Sequence, residues 1–92
     1  MATHKSAMKR ARQNERRRLR NKSIRTRVKN VIKKVRLAVE KKSLEEAQQA
    51  LQEAIPIIDK AASKGVLHKR NASRKISRLT RKVNKLAANQ AS

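Results

Sequence analysis

From Ile24 onward the apolar side chains fall at helical spacing. Ile24, Val28, Val31, Ile32, Val35, Ala38 and Val39 follow the i, i+3, i+4, i+7 pattern that puts them on one face of an amphipathic helix. Upstream that stripe disappears, although no Gly or Pro interrupts the chain before Pro56. The pattern predicts one long first helix over 5–41, with an apolar face on its C-terminal half alone. "SLEE", Ser43 to Glu46, has the form of a capping box and starts a second helix. Leu44, Ala47, Ala50, Leu51, Ala54, Ile55, Ile57, Ile58, Ala61 and Ala62 form a face wide enough for two neighbours. Pro56 is expected to kink or locally break this helix, which spans 44–63 and stops near Gly65, a natural residue to follow a helix C-cap. In the third helix, over 68–88, Ala72, Ile76, Leu79, Val83 and Leu86 make one stripe. Three stripes and two short connections predict an all-α protein: one antiparallel three-helix bundle spanning 1–92, with a long basic N-terminal helix projecting beyond it.

Charge changes the picture. The 92 residues hold 27 Lys and Arg against 6 Asp and Glu, a formal net charge of +21. Residues 1–42 carry 17 basic and 2 acidic side chains, 43–63 carry 1 and 4, and 64–92 carry 9 and none. Self-repulsion of this size calls for a polyanion, and the acids of the second helix are expected on the face turned away from the two basic helices. A core this small seldom contributes more than about 3–5 kcal/mol. The N-terminal arm is therefore expected to become helical only when a polyanion screens it.

The chain has no Trp, Tyr, Phe or Cys. That removes the aromatic platforms on which several RNA- and single-strand-binding modules stack bases, the aromatic anchors of interfacial membrane helices, and any disulfide or thiolate site. Neither a signal-peptide h-region nor a membrane-length apolar run is present, which predicts a soluble, cytoplasmic protein. His4 and His68 have no ligand spacing, and Glu53 and Asp59 fall on different sides of their helix. One glycine cannot build a phosphate-cradling loop. No enzyme, metal, cofactor, small-molecule substrate or homo-oligomer is expected; capping or an RNA contact is expected of His68.

Ten of the nineteen residues from Lys9 to Arg27 are Lys or Arg. At about 100° per residue, Lys9, Arg10, Arg12, Arg16, Arg17, Arg18, Arg20 and Lys22 point in every direction around the axis, so this half cannot lie on a protein core. A solvated tail is the plain alternative, but the run passes into the amphipathic half with no linker. Cations on all sides suit phosphates on several sides, as in a crevice of folded RNA. The candidate RNA-binding surface adds Arg25, Arg27, Lys29 and Lys34 on the first helix. On the third it takes Arg70, Asn71, Arg74, Lys75, Arg78, Arg81, Lys82 and Lys85. Leu37, Leu44, Leu51 and Ile58 recur every seven residues behind a basic segment, as in a bZIP protein. Against that, Leu37 lies off its stripe, Ser43 restarts a helix and Pro56 would break a zipper. Composition alone leaves a DNA-condensing protein open.

The start "MATHKSAMKRARQNERRR" resembles that of the S-twenty family of bacterial small-subunit ribosomal proteins. The stretch "IPIIDKAASKGVLHKRNASRKISRLTRKVNKLA", residues 55–87, is more similar still. Pro56, Asp59, Lys64-Gly65, His68-Lys69, Ala72, Arg74, Ser77-Arg78-Leu79 and Lys85-Leu86 fall in the family's pattern, although Arg70 stands where the family commonly has Asn. The resemblance implies a three-helix bundle that binds 16S ribosomal RNA directly and early in assembly, beside other small-subunit components. The RNA contacts it implies are to the 5′ domain and to the long stem near the 3′ end. It carries an RNA-binding role to Lys5, Ser6, Lys9 and Arg10, and to His68, Lys69, Arg74 and Arg78.

Overall fold

The computed structural model describes the backbone of residues 2–91 and the side chains of residues 6–90. The described residues form three helices, α1 (Ala2–Glu40), α2 (Leu44–Ser63) and α3 (Lys69–Ala91), and no strand. None is long and apolar enough to cross a membrane. The middle helix packs on both others, while α1 and α3 meet only slightly. Small side chains permit this: the buried residues of α2 are Ala47, Ala50, Ala54, Ile58 and Ala61. They pack with Val28, Val35 and Ala38 of α1 and with Ala72, Leu79, Val83 and Leu86 of α3 in one cluster. The molecule measures 73 × 22 × 14 Å, because α1 outruns the helices packed on it.

Both reversals use the same hydrogen-bond pattern. After α2, the Val66 N–H donates to the Ala61 carbonyl (3.0 Å) and the Gly65 N–H to the Ala62 carbonyl (3.0 Å), with Gly65 at φ +76°. This is a Schellman motif. After α1, the Ser43 N–H donates to the Ala38 carbonyl (3.1 Å) and the Lys42 N–H to the Val39 carbonyl (3.0 Å). Here the left-handed position is held by Lys42, at φ 58°. No glycine marked this turn in the sequence.

Two expectations are corrected. Ser43 does occupy the N-cap of α2, yet its side chain makes no capping hydrogen bond, and its N–H, which Glu46 would accept from in a capping box, donates instead to the Ala38 carbonyl that closes α1. Pro56 does not break α2, which runs through it. The ring sits on an exposed side of the helix, where water can take the bond its missing N–H cannot make. The arm continues the packed half in one unbroken helix, α1. The packed half supplies the costly nucleus, and each residue added upstream needs only propagation.

The bZIP register also fails. The chain reverses at Lys42, Leu37 is 46% exposed, and Ile58 faces the bundle core fully buried.

Candidate nucleic-acid interface

Every residue from Ser6 to Arg20 is exposed. Within that span Lys9, Arg10, Arg12, Arg16, Arg17, Arg18 and Arg20 project around the helix, and the single acid, Glu15, is bonded to Arg18 (2.8 Å). That hydrogen bond, and then the carboxylate's charge, raise the Arg18 pKa above its ordinary value. The side chain of Lys5 lies outside the described residues. Ser6 is exposed at the start of the rod. Further along, Arg17, Arg18, Lys22, Arg25 and Lys29 line a shallow furrow with Asn14, Asn21 and Thr26. The furrow mixes cations with neutral donors, as a phosphodiester backbone requires.

The second cationic surface begins at the N-terminus of α3. His68 is its N-cap: the Arg70 N–H donates to His68 Nδ1 (3.2 Å), and the Ala72 N–H to the His68 carbonyl (3.0 Å). Capping, one of the two roles expected of His68, is thus observed. His68, Lys69, Arg70 and Arg74 surround one shallow cleft with Ser73. The contrast with α2 is instructive. Its first turn carries Glu45 and Glu46, which suit the positive end of a helix dipole. The first turn of α3 has no acid and opens with Lys69 and Arg70. Cations there oppose the dipole, and an incoming phosphate would satisfy both. Beyond the cleft, Asn71, Arg78, Arg81, Lys82 and Lys85 are exposed, while Lys75 is half-buried.

These surfaces converge at one end of the bundle. Ile24 and Arg27 of α1 share a groove with Pro56 and Lys60 of α2 and with its C-cap, Lys64, and α3 starts five residues after Lys64. The root of the rod and the head of α3 therefore lie at the same end.

Lys34 is not free in the same way: its Nζ donates to Glu53 Oε2 (3.0 Å), joining α1 to α2. This corrects the expectation that the acids of α2 all face away from the basic helices; long side chains on adjacent helices span the gap. Two cations absent from the expected surface belong to it geometrically. Arg36 and Lys42 line a cleft with Lys82 and Lys85 of α3. For Arg36 a signal existed, since Lys22, Lys29 and Arg36 are spaced by sevens and share a helix side. For Lys42 there was none.

A family model described as ribosomal protein S20 matches residues 2–84 of the chain. The chain is 64% identical over 84 residues to a protein named small ribosomal subunit protein bS20 from Syntrophus aciditrophicus, covering 91% of this chain and 94% of that one. It is 60% identical over 86 residues to the protein of the same name from Geobacter sulfurreducens, covering 94% and 99%. It is likewise 59% identical over 86 residues to the one from Trichlorobacter lovleyi, covering 94% and 99%. A match of this extent, on an exposed cationic rod set into a three-helix bundle, places the chain in the ribosomal protein S20 family.

Proposed function

We propose that the chain is a structural component of the small ribosomal subunit that binds 16S ribosomal RNA directly and holds separate RNA segments together during assembly. It works in the cytoplasm, within the ribosome and among other small-subunit components, and catalyses no reaction. The observation that carries the reading is the rod. An unbroken helix has all residues from Ser6 to Arg20 exposed and cations on every side, a form suited to a crevice between RNA strands and wasted against one flat surface. The resemblance suggests the 5′ domain and the long stem near the 3′ end as the segments. Contacts to phosphates dominate, and selectivity comes from RNA shape, since the chain has no Trp, Tyr or Phe on which to stack a base.

The net charge of +21 also suits a second function, nonspecific condensation of nucleic acid. The two separate in one experiment: binding to 16S ribosomal RNA at physiological salt with a large excess of duplex DNA. Tight binding that survives the competitor is expected. Titration of the protein onto the DNA would leave a condensing protein and end the ribosomal reading.

A further inference from the structure

The groove between α1 and α2 at the root of the rod differs in chemistry from the two phosphate clefts. Neither the furrow of the rod nor the cleft at the head of α3 has an apolar side chain among its lining residues. The groove, of about 500 Å³, has Ile24, Pro56, Ile57 and Ala61. Such a volume is of the order that receives a ligand's apolar groups, roughly 300–1,000 Å³. Ala61 is buried and the two isoleucines are half-buried, which makes them the floor. Ala61 and Pro56 have no long side chain to lay over Ile24 and Ile57, so both stay partly open to solvent.

The rim is short of anions. Its exposed charges are Arg27 on the α1 wall, Lys60 and Lys64 on the α2 wall, and Glu53. Glu53 is held by Lys34 (3.0 Å), and the described ion pairs use none of the three rim cations. Like charges on two walls repel across an apolar floor. An occupant with anions on both sides of an apolar group relieves that repulsion and covers the floor at once. A phosphodiester backbone brings the charge but nothing aliphatic, and Glu53 repels it. A fatty acid brings one carboxylate at one end, for cations on two walls. A peptide with an apolar side chain flanked by Asp or Glu supplies both, and its carboxylates accept charge-assisted hydrogen bonds from Arg and Lys.

We propose that this groove docks an acidic segment of a partner protein, with a leucine-sized side chain on the floor and carboxylates at Arg27, Lys60 and Lys64. An apolar patch rimmed by polar residues is the usual form of a protein-interaction site, and the charge of its rim selects which partners approach. The inference stands apart from RNA binding. Arg27 does not line the furrow of the rod, and Lys60 and Lys64 line neither phosphate cleft.

The test titrates the full-length protein, at physiological salt, with a short synthetic peptide of glutamates around two leucines. The same peptide with serine in place of each leucine is the comparison. Attraction to a chain of net charge +21 is common to both, so burial of leucine should make the first bind about tenfold more tightly. It should shift the methyl resonances of Ile24 and Ile57 and leave Ile76 of α3, which does not line the groove, in place. Lys60→Gln/Lys64→Gln should weaken the leucine peptide by about tenfold. Lys33→Gln/Lys41→Gln loses equal charge at exposed positions outside the groove and should cost less than about twofold, through screening. Equal binding of the two peptides, unmoved Ile24 and Ile57, or equal losses in the two variants would overturn the docking site. The groove variant should also keep the wild-type salt slope for 16S ribosomal RNA. A fall of about 1.4–1.8, at ~0.7–0.9 per phosphate, would give Lys60 and Lys64 to RNA and overturn the protein partner. Failure of the wild type to prefer 16S RNA over DNA would instead remove the RNA function and leave the groove standing.

Discussion

The two halves of α1 belong to one helix and obey different physics. Between Ile24 and Glu40, Val28, Val35 and Ala38 are buried and Ile24, Val31, Ile32 and Val39 pack at the edge of the core. Between Ser6 and Arg20 nothing is buried at all. Tertiary contact enforces the helix in the first case. In the second, helix is only the lowest-cost way to continue from a nucleus already formed. Stability therefore resides in one half and the proposed RNA contact chiefly in the other, and a substitution should register in one assay or the other according to which half it touches.

The severest test of that separation is to remove the rod. Deleting residues 1–22 takes away nine cations, and each engaged phosphate contributes about 0.7–0.9 to the salt slope. RNA affinity should fall by orders of magnitude and the slope should flatten, while the melting midpoint of the remaining bundle stays where it was. An unchanged slope would make the rod a tail.

Next comes a pair of apolar truncations. Ile58→Ala removes a side chain that is fully buried and should cost about 2–5 kcal/mol, most of what so small a core provides. Leu19→Ala, at a side chain 55% exposed on the rod, should leave the denaturation curve within about 0.5 kcal/mol. Similar losses at the two sites would mean that the rod is packed on the bundle.

The two reversals sharpen the comparison further. With nothing within 4 Å of an added Cβ at Gly65, Gly65→Ala should cost only the backbone term, about 1 kcal/mol. Lys42→Gly should stabilise by about 0.5–1 kcal/mol for the mirror reason. Chemical denaturation of both variants reads the two signs directly.

Smaller still is Ser43→Ala. An N-cap side chain ordinarily contributes ~1 kcal/mol; this one makes no capping bond, so its loss should stay below about 0.5 kcal/mol. The least effect belongs to Arg17→Ala in RNA binding. Its neighbours Arg16, Arg18 and Arg20 generate nearly the same field, and a change under about threefold is expected from one phosphate contact among many. A large loss at this one residue would point to a specific contact in place of a shared field.

The helices were largely legible in the sequence. The expected spans 5–41, 44–63 and 68–88 compare with Ala2–Glu40, Leu44–Ser63 and Lys69–Ala91, because apolar period and punctuation are local properties of the chain. The extension of α3 shows where that locality ends. Nothing after Ala88 continues the stripe, yet the helix proceeds to Ala91, and Gln90 within that extra turn bonds to Lys42, 48 residues away. The candidate site divides in the same way. Exposure of the rod followed from its missing stripe, and the head of α3 followed from a cationic first turn beside His68.

By itself, then, the amino-acid order determined the helix periods, the split of charge into basic, acidic and basic segments, and the resemblance that led to the family. These depend on residues within a few turns of one another, or on residue identity alone. Only the tertiary structure decided which cations become neighbours. Lys34 turns to Glu53, and Arg36 and Lys42 join Lys82 and Lys85. It also decided that a lysine would take the left-handed position ending α1. Side-chain adjacency across helices depends on crossing geometry and on how closely the alanines of α2 let its neighbours approach. Such distances are set when the core packs, and no local pattern encodes them.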